Sequence, residues 1–248
     1  QNNWPLWPYF NSEDYKSVDR VIKSNMLFAS GDSKGLFKGS EVGFFEKEYA
    51  KYMGSKYARA VGNGTQGLHL ALASLDIGIN DEVITTPFTW ISSASCILMQ
   101  NAIPIFSDIE SETLGLCPYE LEKNITKKTK AVILVHMFGY SAKVDEILKI
   151  CKKNKIALIE DASHVHGAEF KGKKLGTYGE IGVFSLHQRK NLSVGDGGII
   201  VTNKKNIADK IYRLRSFGDE ELSYNYRMTE FAGALGRSRL NRLNKENL

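Results

Sequence analysis

Cysteine is scarce in this chain. Cys96, Cys117 and Cys151 are the three thiols among 248 residues. They are too few and too far apart for a disulfide scaffold, and they lack the CxxC spacing of a metal site. The expectation is therefore reduced, mostly buried thiols, no metal centre and a cytoplasmic protein. No stretch approaches eighteen consecutive apolar residues, so no membrane-spanning helix is expected. The opening, QNNWPLWPYF, has neither the basic lead nor the apolar core of a secretion signal. It begins on Gln1 rather than methionine, and the natural N-terminus is expected to lie upstream. Internal repeats and low-complexity linkers are absent. Charge of one sign is not concentrated either. The net +5 comes from lysines scattered in runs such as 152–155 and 171–174, the pattern of solvated helix ends and turns. It speaks against a nucleic-acid partner, although a mildly positive field suits an anionic substrate.

What is present is the composition of a soluble globular protein, 42% hydrophobic and 25% charged. Short runs rich in Val and Ile predict strands at Glu82–Thr86, Ile103–Ser107, Ala131–His136, Ile156–Glu160, Ile181–Leu186 and Gly198–Thr202. Amphipathic stretches predict helices at Glu41–Met53, Thr65–Leu75, Ile91–Gln100, Val144–Lys153, Asn206–Arg215 and Thr229–Leu243. Strands apolar on both faces that alternate with helices imply an α/β fold, a mostly parallel central sheet covered on both sides. Residues 39–240 read as the main domain. Residues 1–38, aromatic and weakly periodic, read as an N-terminal arm. Residues 241–248 read as the start of a truncated C-terminal domain, because domains rarely end on a helix that points nowhere.

Five local patterns carry candidate chemistry. Lys190 lies between the strand-like IGVFSL and the turn GDGG; an amine held at a sheet edge is partly desolvated and becomes a nucleophile toward carbonyls. Gly62-Asn63-Gly64-Thr65-Gln66-Gly67 runs from the strand-like ARAV into a helix, an arrangement whose free N–H groups bind phosphate. Asp161, with His164 shortly after it, ends a predicted strand where α/β sheets place ligands, and its carboxylate can hold a ring nitrogen protonated. Trp90 follows another strand and can stack on a planar ring. Ser185 closes the strand before Lys190 and can reach the same phosphate as Thr65. Each has a plainer reading alone: a Thr-capped turn, an N-cap Asp with a surface His, a core Trp, a strand-end Ser. The loop Tyr224-Asn225-Tyr226-Arg227-Met228 alone passes for a surface connection. Together, a phosphate cradle, an acid, an aromatic plate and a lysine are what pyridoxal 5′-phosphate requires.

The segments FFEKEYAKYMGSKYARAVGNGTQGLHLAL, DEVITTPFTWISSA, IALIEDASHVHGAEFKGKKLGTYGEIGVFSLHQRKNLSVGDGGIIVTN and YNYRMTEFAGALG resemble the DegT/DnrJ/StrS sugar aminotransferases. These are pyridoxal-phosphate enzymes of the aspartate-aminotransferase fold (type I), and the likeness runs from about residue 4 to the end. The resemblance implies a three-layer α/β/α large domain, with a small C-terminal domain largely absent. It assigns Lys190 to the covalent link with the cofactor and Asp161 to the pyridine nitrogen. Trp90 is assigned to the ring face, Gly64, Thr65, Gln66 and Ser185 to the phosphate, and His164 to the neighbourhood of the 3-hydroxyl, where many members carry Gln. Asn225 matches a residue donated to the phosphate of a second subunit, which implies a homodimer with shared sites. His187 falls near the substrate mouth. The implied reaction moves an amino group from glutamate or glutamine to a keto-sugar, and the resemblance implies a nucleotide-linked one. The rivals are a dehydratase on the same scaffold, whose members carry His in place of the lysine, and a non-catalytic regulator that keeps the fold. The loop SFGDEELSYNYRM is shorter than the family's usual one.

Overall fold

Side chains alternate across a strand, and β4 (Thr129–Val135) shows where each face goes in the computed structural model, which describes residues 7–28, 40–217 and 222–247. Val132 and Leu134 enter one apolar cluster, and Ala131 and Ile133 enter another on the opposite face. The other elements in chain order are α1 (Ser12–Ser24), α2 (Glu41–Met53), β1 (Tyr57–Val61), α3 (Gly64–Ser74), β2 (Glu82–Thr85), α4 (Ser92–Met99), β3 (Ile103–Phe106) and α5 (Pro118–Asn124) before β4. After it come α6 (Val144–Asn154), β5 (Ala157–Asp161), the short hairpin β6 (Glu169–Phe170) and β7 (Lys173–Lys174), β8 (Ile181–Ser185) and β9 (Gly198–Thr202). The last are α7 (Lys205–Leu214), α8 (Glu230–Leu240) and α9 (Leu243–Glu246).

Seven strands form one sheet in the order β1-β9-β8-β5-β4-β2-β3. β8, β5, β4, β2 and β3 pair in parallel, whereas β9 is antiparallel to both its neighbours, so β1 again runs with the rest. Residues of α2, α5, α6 and α8 fill the cluster on one face; residues of α3, α4 and α7 fill the other. This is the expected three-layer α/β/α architecture. Its consequence for function is positional: the carboxyl ends of β1, β2, β4, β5 and β8 all open on one edge of the sheet, where such folds bind ligands.

The departures have local causes. β3 is not covered on both faces; as the edge strand it leaves Ile103 40% and Phe106 52% exposed. The strand-like ARAV becomes β1, and α1, α5 and the β6–β7 hairpin are additions. β1 alternates Arg59 with alanines and carries a single branched residue, the buried Val61. α1, inside the predicted arm, starts from a capping box in which Asn11 and Asp14 satisfy each other's backbone. The rest of that arm, 1–6 and 29–38, lies outside the described residues, as do 218–221 of the loop before YNYRM. The single helix predicted over 229–243 breaks into α8 and α9 around Arg242, whose guanidinium is held by Asp14 at 2.9 and 2.6 Å and by Glu246. None of the described helices is long and apolar enough to cross a membrane. Cys96, Cys117 and Cys151 are unpaired, the first and last buried; burial pushes the Cys151 thiol up to about 12.

One glycine of β9 fixes the edge of the site. A Cβ on Gly198 would fall 2.5 Å from the Asn63 carbonyl oxygen and 2.9 Å from the Gly64 nitrogen. Both are backbone atoms of the turn that opens α3, so neither yields cheaply. Gly198→Ala is expected to cost about 1–3 kcal/mol of overpacking, a fall of several degrees in the melting temperature, and to weaken any ligand held at the start of α3. A thermal melt and a ligand titration of the variant measure both effects.

Candidate active site

The sheet edge encloses a cavity of about 790 Å³, within the range of small-molecule sites. Gly64, Thr65, Trp90, Asp161, His164, Ser185, His187 and Lys190 all line it. These residues come from four strand ends, so the fold brings together what the sequence places up to 126 positions apart, from Gly64 to Lys190. Gln66 and Asn225 are not among the lining residues. The Gln66 amide oxygen is buried without a hydrogen-bond partner and faces Gly62, where a Cβ would meet it at 2.5 Å.

The first wall is the start of α3. Asn63, not Thr65, is the N-cap, and its side chain accepts the Gln66 N–H at 2.9 Å. That leaves Gly64 and Thr65 as the first helical donors, which have no acceptor within the helix. The Thr65 hydroxyl lies 2.7 Å from that of Ser92. Ser185 packs so closely that a Cβ on Gly64 would sit 2.9 Å from its Cβ. Backbone donors, two hydroxyls and a close-packed serine make a cradle for a tetrahedral anion.

Asp161, 6% exposed, ends β5 beneath the cavity. One carboxylate oxygen accepts the Ser93 hydroxyl at 2.8 Å; the other accepts the Ser163 hydroxyl at 2.7 Å and its N–H at 3.3 Å. The Ser163 hydroxyl in turn accepts the Ser185 N–H at 3.1 Å. The carboxylate is thus oriented from both sides and tied to the phosphate cradle. His164 accepts the Phe138 N–H at 3.3 Å on Nδ1, and the two rings stack at 6.0 Å and 11°. Burial, and then the nearby Lys190 cation, push the His164 pKa down, with the Asp161 charge opposing. Phe138 holds a left-handed backbone (φ 51°, ψ 25°), which an aromatic residue adopts only when its surroundings enforce it.

Lys190 is half-buried. Desolvation pushes its pKa below the usual lysine value, while the Asp161 carboxylate pulls the other way. The turn that carries it is pinned by Leu186 and Leu192, both fully buried, and by bonds from Lys190 N–H to the His187 carbonyl and from Gln188 N–H to that of Gly195, each 2.8 Å. Asn247, just past α9, clasps it from behind. Its side chain accepts from the Asn191 amide at 3.0 Å and donates to the His166 carbonyl at 2.8 Å. The buried His166 ring joins the Ser185 carbonyl at 2.8 Å and the Tyr49 hydroxyl at 3.2 Å, and burial lowers its pKa to about 4. A neutral ring that donates to the carbonyl accepts from the tyrosine.

Trp90 stands 73% exposed at the mouth, with Ile91, Phe138 and Tyr140 similarly open. It is a plate with one face free, not a core residue. Asn225 is exposed. Tyr224 and Tyr226 on either side stack on each other at 4.9 Å and pack against His69, while the asparagine between them accepts the Arg227 Nε–H at 3.2 Å. Ser92, Ser163, His136, Phe138 and Arg189 line the cavity and Ser93 braces Asp161 beneath it, and the sequence reading gives none of them a role. Ser163 had a signal, two residues after an Asp, as Asx turns favour; Ser93 had none.

The residues fit pyridoxal phosphate. The glycine-lined cradle leaves room for the phosphate, the anchored carboxylate faces the same cavity as the desolvated amine, and an open indole flanks them. Comparison with known proteins points the same way. A family model described as the DegT/DnrJ/EryC1/StrS aminotransferase family matches residues 18–248. The GDP-perosamine synthase of Vibrio cholerae is 37% identical over 84% of this chain and 59% of its own length. The X-ray structure of the aminotransferase from Psychrobacter cryohalolentis superposes with a TM-score of 0.92 at 34% identity, covering 98% of this chain and 64% of that one. The E. coli GDP-4-keto-6-deoxy-D-mannose-3-dehydratase with bound hydrated PLP superposes at 0.88 and 27% identity, covering 98% and 68%. The chain spans about three fifths of the length of the first curated relatives it matches.

Proposed function

This chain belongs to the DegT/DnrJ/EryC1/StrS aminotransferase family, and on that premise we propose that it moves an amino group from glutamate or glutamine to a nucleotide-linked keto-sugar, using pyridoxal phosphate. The observation that carries the reading is the meeting of Lys190 and Asp161 in one cavity. Bound pyridoxal phosphate supplies an aldehyde that condenses with amines and a protonated ring that takes up carbanion charge.

The chain's own residues do the rest. Gly64, Thr65 and Ser185 grip the phosphate. Asp161 keeps a proton on the ring nitrogen, and the Ser93 and Ser163 hydroxyls hold its oxygens in place. Trp90 covers one ring face and excludes water. The Lys190 amine would hold the cofactor through its aldehyde and, once freed, would serve as the acid and base that moves a proton from and to the substrate's α-carbon. A partly desolvated lysine suits the task because more of it is neutral near pH 7. The donor leaves as a keto acid, the acceptor's carbonyl becomes an amine, and ping-pong kinetics follow.

A second subunit completes the assembly in this reading. Asn225 is exposed and does not line its own cavity, and Trp90 and Phe138 leave apolar surface of the lining open; both features suit a homodimer in which each partner offers Asn225 to the other. Unpaired thiols suit a cytoplasmic setting. The described residues from 40 onward act as the cofactor-binding domain, and Leu243 of α9 belongs to the same core. Dehydration is the rival, since a dehydratase shares the fold; Lys190 favours amino transfer. The test is spectral. Protein loaded with pyridoxal phosphate is expected to turn yellow, bleach with glutamate or glutamine, and regain colour with a nucleotide-linked keto-sugar while the aminated sugar appears by mass spectrometry. Release of ammonia and a deoxygenated sugar instead would assign the rival.

A further inference from the structure

The turn that presents Lys190 places a second cation on the cavity wall. Arg189 lines the cavity and is exposed. Its guanidinium makes no hydrogen bond or ion pair with any described residue. Several other polar groups of the lining are engaged: Asp161 by Ser93 and Ser163, Thr65 by Ser92, and the Asn191 amide by Asn247; the exposed Asp196 accepts the Gly197 N–H at 3.1 Å on one oxygen and is not paired with Arg189. The backbone that carries Arg189 is fixed. Its N–H donates to His187 Nδ1 at 3.3 Å, next to the bond from Lys190 N–H to the His187 carbonyl. With Nδ1 as the acceptor, a neutral His187 ring carries its proton on Nε2.

The cofactor's phosphate has its own cradle at the start of α3, and about 790 Å³ is more than one substituted pyridine fills. The cation beside Lys190 therefore awaits an anion that arrives with the substrate. We propose that Arg189, with His187 next to it, receives a carboxylate or phosphate group of the substrate and so selects anionic substrates for this cavity. The proposal rests on reading the cavity as the transamination site. Each substrate class in that reading brings such a group: the amino donor has carboxylates, and a nucleotide-linked sugar has a diphosphate. The guanidinium's planar fork pairs with two oxygens of either.

The experiment needs no turnover. The chain loaded with pyridoxal phosphate, so that the cradle at the start of α3 is filled, is titrated by calorimetry with glutarate, which has the donor's carboxylates without its amine, and with UDP and GDP, which have the diphosphate without the sugar. Wild type is expected to bind at least one probe. Arg189→Gln is expected to weaken that probe at least about tenfold, and Arg189→Lys, which keeps the charge without the fork, less. Added salt is expected to narrow the difference. A loss confined to glutarate assigns the carboxylate; a loss confined to the nucleotides assigns the diphosphate. Unchanged melting temperatures show that an exposed side chain was altered without harm to the fold. If wild type binds no probe, or Arg189→Gln binds as wild type does, the proposal is overturned. A wild type that binds a probe but fails to bleach with an amino donor would instead sink the reading of the cavity and leave the anion site standing.

Discussion

Lys190→Ala is expected to take up pyridoxal phosphate without the yellow colour of the lysine-linked form and to lose turnover by about a thousandfold or more. The cradle at Gly64, Thr65 and Ser185 is untouched by the substitution, so binding falls less than activity. Borohydride reduction followed by mass spectrometry should attach the cofactor to residue 190 in wild type and to nothing in the variant; attachment at another lysine would refute the assignment. The fold is expected to survive. Burial lowers the Lys190 pKa, so the protonated amine costs stability in the folded state. That cost is full below the folded pKa, fades as pH rises toward the unfolded value near 10.4, and is absent above it. Alanine removes it, and the variant should melt no lower than wild type at neutral pH. A loss of activity with a preserved melt separates chemistry from folding.

Asp161→Asn is the second large effect, a fall in turnover of about a hundred- to ten-thousandfold with the cofactor still attached. Asparagine keeps the shape and one acceptor for the Ser93 or Ser163 hydroxyl, but it offers no negative charge to hold a proton on the ring nitrogen. A charge effect has a second signature. The carboxylate raises the pKa of both Lys190 and His164 against the pull of burial. Its removal should shift both downward, moving the alkaline limb of the pH profile and the His164 proton resonance to lower pH. A variant that is inactive yet shows neither shift would mean that Asp161 acts by packing alone, and the account of the ring nitrogen would fail.

Much of this was legible because the chemistry follows the strands. Asp161, Ser185 and Lys190 each close or follow a run whose apolar pattern marks a strand, and parallel strands deliver such residues to one edge. The same logic placed Trp90. The supports were not legible. Ser93 meets Asp161 from 68 residues away, and nothing in the segment SSASC marks which serine turns inward. Phe138 takes a left-handed backbone that no local glycine announces, since Gly139 follows rather than occupies it. β1 was legible only as the short strand-like ARAV, because Ala58 and Ala60 are buried by neighbours in α2 rather than by their own bulk. Gln66 shows the opposite failure: its sequence neighbours line the cavity, but helical geometry turns the side chain toward Gly62.

Asn247 grips the Lys190 turn with one end of its amide and the strand-end backbone near Ser185, through His166, with the other. It works as a tie-rod between the two halves of the site, and Arg239, itself fully buried, braces the same turn at the Asn191 carbonyl. Strain applied to the last two helices would therefore register as a change in hue of the bound vitamin, long before it touched any reacting atom.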